Sequence, residues 1–115
     1  MQVVAAITQV QGWTVMRVRG ELDLASAPHL RREVIGVLAD GPHLVLDLTD
    51  VDFLDSTGLG VVLGALRRVR SAGGDLRLVC TAPHLLEVFG VTGLDRILSI
   101  SASVDDAVAV AGTVR

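Results

Sequence analysis

HLVLDLTDVDFLDSTGLGVVLGALRRVRSAGG, residues 43–74, changes its apolar period once, and that change decides the fold. His43 to Thr49 is apolar on both sides, with Leu44, Leu46 and Leu48 alternating around Val45, as in a central strand covered on each face. From Thr57 to Ser71 the spacing becomes helical. Leu59, Val62, Leu63, Leu66 and Val69 fall on one face of the wheel, with Val61, Ala65 and Arg68 toward the far side. Gly73-Gly74 breaks the helix. A buried strand running into an amphipathic helix through a short polar turn is half of a βαβ unit.

The same alternation extends both ways. Upstream, Val3 to Thr8 and Thr14 to Val18 are short β-rich runs around Gln11-Gly12, and they predict a hairpin whose second strand ends at Gly20. A helix follows, with Ser26 as its expected N-cap, Pro28 in its first turn, and Leu30, Val34, Val37 and Leu38 on one face; Gly41-Pro42 stops it. Downstream come a strand at residues 76–80, a short helix from Pro83 that ends at Gly90, a strand at 96–101, and a last helix capped by Ser103 with Asp105 and Asp106 in its first turn. The order ββαβαβαβα predicts one α/β domain over residues 1–115: a mixed β-sheet, an N-terminal hairpin plus parallel strands, packed by about four helices.

Composition narrows the function. Half of the residues are hydrophobic and only 3% aromatic, so the core is aliphatic. A net charge of −3, with ten basic residues and thirteen acidic ones, gives no basic footprint for nucleic acid. The single cysteine, Cys80, follows an apolar run and is expected buried and unbridged. No apolar run reaches the ~18 residues that cross a bilayer, and the N-terminus lacks the basic and apolar regions of a signal peptide, so a cytoplasmic location without membrane contact is expected.

The chemistry concentrates at the turn, where Asp50, Asp52, Asp55, Ser56 and Thr57 gather. Either Ser56 or Asp55 can cap the helix, so capping accounts for one oxygen and leaves the others unexplained. D-S-T-G is not the G-x-S-x-G of a nucleophile elbow, and His29, His43 and His84 sit at element starts as surface or capping residues, so no catalytic set is expected. Asp50, Asp52 and Asp55 read as solvated turn acids; the loop lacks the central glycine of a calcium loop, and no metal or other cofactor is implied. The remaining reading is that another enzyme modifies Ser56: a phosphoryl group brings about −1.5 to −2 charges, and the free N–H groups of a helix N-terminus would receive it. Gly58, Gly60 and Gly64 each cost ~1 kcal/mol in a helix interior, which implies a close approach by the domain's own sheet or by a partner. An outward Val61 favours the partner.

These residues resemble the STAS domains of bacterial anti-sigma factor antagonists. The resemblance runs over about residues 3–111 and is carried by the Asp55–Gly60 core D-S-T-G-L-G, by GELDLASAPHLRR from Gly20, by the Gly73-Gly74 break and by VTGLDRIL near the end. It implies that the chain is not an enzyme. It implies that Ser56 is phosphorylated by an anti-sigma factor with serine kinase activity, that the unphosphorylated form binds this kinase and so frees the sigma factor, which is touched only indirectly, and that a PP2C-type phosphatase restores the serine. Asp23, Asp55, Ser56, Thr57, Gly58, Gly60, Val61 and Gly64 would form the partner-binding face, with Thr57 as a minor second acceptor where many relatives carry another serine. The alternative within the resemblance is a constitutive STAS scaffold or an accessory subunit of a transport complex, in which Ser56 is chiefly a cap.

Overall fold

The computed structural model describes residues 4–109. The expected start of the first strand at Val3, and the stretches that would complete a domain from 1 to 115, lie outside the described residues. The elements are β1 (Val4–Val10), β2 (Trp13–Leu22), α1 (Ala27–Val37), a 3₁₀ turn (Leu38–Asp40), β3 (His43–Leu54), α2 (Ser56–Ser71), β4 (Asp75–Val79), α3 (Pro83–Thr92), a second 3₁₀ turn (Leu94–Arg96), β5 (Ser99–Ser101) and α4 (Val104–Ala109). The strands lie side by side in sequence order. Only the β1–β2 pair is antiparallel; the other three pairs are parallel, as the alternating pattern requires. The hairpin closes through Gln11 and Gly12, both with positive φ (50° and 84°), which matches the right-handed twist of the strands it joins.

The sheet separates two cores. On one face Met16, Val18, Leu44, Leu46, Leu48, Leu76 and Leu78 meet Leu30 and Val34 of α1, Val62, Leu66 and Val69 of α2, and Leu85 and Phe89 of α3. On the other face Trp13, Val15, Val45 and Val79 pack with Ala107 and Val108 of α4. The fully buried Arg77 stacks on Trp13, its guanidinium carbon 4.3 Å from the ring centroid, and donates to the Ala107 carbonyl. Cys80 is buried and free, as expected.

Several boundaries differ from expectation for physical reasons. β2 does not stop at Gly20. It passes through that glycine at φ 112° and continues to Leu22, because β3 runs on to Leu54 and pairs with it across two register shifts. Asp50 and Asp52 therefore lie on a strand and not in a turn, and Asp50 forms an ion pair with Arg17 at 3.0 Å. The helix expected to end at Gly90 runs to Thr92, where Gly93 in the left-handed region terminates it. The last strand is shorter than expected, residues 94–96 being a 3₁₀ turn. Ser103 caps α4 as expected, its hydroxyl accepting from the Asp106 amide at 3.1 Å.

Candidate functional site

The extended β2–β3 pairing builds the site. Leu22 pairs with Leu54, and the Asp55 amide donates to the Leu22 carbonyl at 3.1 Å, so the end of β2 and the start of α2 form one junction. Asp55 is the N-cap. Its backbone is extended, and its Oδ1 accepts from the amides of Thr57 (2.9 Å) and Gly58 (3.0 Å). Ser56 is therefore the first helical residue and not the cap; it is exposed, and its hydroxyl has no partner among the described residues. Thr57 is half-buried beside it.

Asp23 follows Leu22 at this junction in a closed turn. Its Oδ1 accepts from the Ser26 amide, and its own amide donates to the Ser26 hydroxyl, both at 3.0 Å. Ser26 also donates to the Glu21 carbonyl. Ser26 thus does not cap α1, whose start has no side-chain cap bond, because its hydroxyl is spent on holding Asp23 in place. His84 is exposed at the start of α3, and its Nε2 lies 2.9 Å from the Asp52 carbonyl, tying α3 to the end of β3. No three His, Cys, Asp or Glu side chains among the described residues gather as metal ligands. The ionisable groups with shifted pKa values lie elsewhere: burial pushes the Cys80 thiol up, partly offset by the Ala82 backbone, and burial pulls Arg77 down, partly offset by Asp75.

The three glycines separate. A Cβ on Gly58 would lie 2.4 Å from the Leu22 carbonyl oxygen and 2.7 Å from Leu54 Cδ1, so the molecule's own packing demands this glycine. Gly60 and Gly64 would meet nothing within 4 Å. They open onto a groove between α1 and α2 lined also by Arg31, Val34, Val61 and Arg68. Val61, expected on the outer side, is only 4% exposed, and Ala65 is buried with it. The single-face wheel failed here because α2 is covered from two directions, by the sheet and by α1. Leu59 and Leu63, expected in the core, are correspondingly only half-buried.

Two residues escaped sequence reasoning. Leu24 is 75% exposed directly after Asp23, and Phe53 is 46% exposed two residues before Asp55. Both segments of the junction thus carry a large exposed apolar side chain. The signal that would have found Phe53 is the register: it pairs with Glu21, away from the face that buries Leu22 and Leu54.

With this geometry in view, the model of the STAS domain family matches residues 4–107. The Bacillus subtilis (strain 168) anti-sigma-B factor antagonist is 40% identical over 87 residues, covering 76% of this chain and 80% of that protein. The crystal structure of an anti-sigma factor antagonist from Mycobacterium paratuberculosis superposes with a TM-score of 0.84 at 30% identity, covering 92% of this chain and 91% of that one. Bacillus SpoIIAA, solved phosphorylated and unphosphorylated, shares the fold at TM-scores of 0.68 and 0.67 and identities of 23% and 22%; coverage is 91% and 90% of this chain, against 96% and 92% of theirs.

Proposed function

The chain belongs to the STAS domain family, and on that footing we propose that it is an anti-sigma factor antagonist switched by phosphorylation of Ser56. The unphosphorylated form binds an anti-sigma factor that is also a serine kinase and frees the sigma factor; a PP2C-type phosphatase reverses the modification. The chain acts in the cytoplasm as a binding module and not as a catalyst. The relatives named as anti-sigma factor antagonists support the first part of this reading. The observation that carries the rest is the division of labour at the helix start: Asp55 holds the cap, so the exposed Ser56 hydroxyl is free to be modified without cost to the helix.

That division corrects one expectation. The Thr57 and Gly58 amides already serve Asp55, so a phosphoryl group on Ser56 does not find them free. It lies beside the Asp55 carboxylate and projects its charge outward toward whatever docks there, with Asp23, Thr57, Leu24 and Phe53 around the contact. Gly58 serves the contact indirectly by letting α2 seat against β2, while Gly60 and Gly64 extend it along α2; Val61, expected to face the partner, is buried and takes no direct part. Thr57, half-buried, is the poorer acceptor.

The test is incubation with the anti-sigma factor kinase of the same host and ATP, followed by site mapping by mass spectrometry. Phosphate on Ser56 is expected, with binding lost in Ser56→Asp and kept in Ser56→Ala. Phosphate mapping elsewhere, or equal binding by the two variants, defeats the reading.

A further inference from the structure

A serine at the start of α1 is turned away from its own helix. Ser26 occupies the N-cap position, where a hydroxyl ordinarily accepts from an amide of the first turn. Its Oγ points back to the end of β2 instead, donating to the Glu21 carbonyl at 2.5 Å and accepting from the Asp23 amide at 3.0 Å. The Ser26 amide donates to Asp23 Oδ1 at 3.0 Å, and the Ala27 amide donates to the Asp23 carbonyl at 2.9 Å. Asp23 is thus held by its amide, its carbonyl and one carboxylate oxygen, while its second carboxylate oxygen has no partner among the described residues. Ser26 itself is buried, so water is poorly placed to replace its bonds if the hydroxyl is removed. Across the junction, the Leu22 carbonyl accepts from the Asp55 amide, and Asp23 and Ser56 each stand one residue beyond that bond. Both sides of the junction are therefore clamped: Asp55 fixes the start of α2, and Ser26 fixes the end of β2.

We propose that Ser26 is a positioning residue for the reaction at Ser56. It touches neither the acceptor hydroxyl nor the phosphoryl donor. It acts through Asp23, whose turn it locks before the kinase arrives, so that the free carboxylate oxygen stands near the acceptor for a hydrogen-bond donor of the kinase. Locking removes backbone and rotamer freedom that docking would otherwise have to take away, so the gain falls on binding and not on the chemical step. This gives a reason for a capping serine to leave its helix uncapped. The inference rests on Ser56 being the acceptor, and it adds a buried residue that lies outside the partner-binding face.

The experiment measures phosphorylation of the full chain by the anti-sigma factor kinase of the same host at saturating ATP, with the chain as the varied substrate. Circular dichroism at the assay temperature confirms that each variant compared is folded. Ser26→Ala should raise KM about tenfold and leave kcat within about twofold. Ser26→Thr, which keeps a hydroxyl, should stay within about twofold of the parent chain in both constants. Asp23→Ala should raise KM to a similar extent, and adding Ser26→Ala to it should raise KM by no more than about twofold further, because the two residues act as one unit. A serine that serves the fold alone gives a different pattern: Ser26→Ala lowers the melting temperature with KM unchanged, or its effect on KM multiplies with that of Asp23→Ala. Either result overturns the inference, as does an equal loss in folded Ser26→Thr. If the parent chain takes no phosphate on Ser56, the functional reading fails and this inference with it; if it does, and Ser26→Ala keeps the parent KM, this inference alone fails.

Discussion

Gly58 and Gly60 stand two residues apart on α2 and answer to different constraints. At Gly58 a methyl group collides with the backbone carbonyl of Leu22, which cannot yield as a flexible side chain would. Gly58→Ala should therefore cost more than ~2 kcal/mol. At Gly60 and Gly64 the same change meets open space, so each alanine should stabilise the protein by ~0.5–1 kcal/mol, the ordinary gain over glycine in a helix. Asp55→Ala removes two capping bonds and should cost ~1–2 kcal/mol, whereas Ser56→Ala, with no bond to lose, should stay within ~0.5 kcal/mol. Urea unfolding of the five variants checks the whole set, and equal costs at Gly58 and Gly60 would contradict the geometry. The sequence displayed the D-S-T-G cluster plainly, but it could not assign the cap. Aspartate and serine are near-equivalent caps, and only the extended backbone of Asp55 decides between them.

At the scale of elements, α4 hangs on one unusual side chain. Arg77 is fully buried, stacks on Trp13, and supplies a donor to the Ala107 carbonyl in α4. Arg77→Ala should destabilise the protein by ~3 kcal/mol or more through lost stacking and an unserved carbonyl. It should also loosen α4, and the emission of Trp13, the only tryptophan, should shift to the red. An unshifted emission would mean that α4 docks without it. Nothing in the periodicity pointed to this residue, since an arginine within LRLVC reads as the solvent side of a strand. It is buried because a second layer covers the far face of the sheet, a fact of tertiary structure. The same reason defeated Val61, where α1 supplied the unforeseen cover. Element type and order were legible throughout, because each turn from period 2 to period 3.6 is local. Strand ends were not: Gly20 looks like a stop until β3 offers it a partner.

Over the whole molecule, charge is laid out unevenly. Asp23, Asp52 and Asp55 surround the Ser56 junction, while the arginines of α1 and α2 line the flank. A dianion added at Ser56 deepens the first region and makes no demand on either core, since the residue is exposed and caps nothing. Phosphorylated protein should keep the amide spectrum of the unmodified form except near residues 22–24 and 55–60, and its thermal midpoint should move by no more than a few degrees. Shifts spread across β4 and α4 would show that the architecture responds.

The bond from the Asp55 amide to the Leu22 carbonyl has a consequence for information. Its two halves are separated in sequence by all of α1 and all of β3, so they meet only after the chain has crossed over and paired. On the proposed function, a kinase reading this junction would count finished molecules: nascent, misfolded or clipped copies would fall silent, and the signal would report the census of native protein and not the rate of its synthesis. A free peptide spanning residues 50–64 would accordingly be a poor phosphate acceptor.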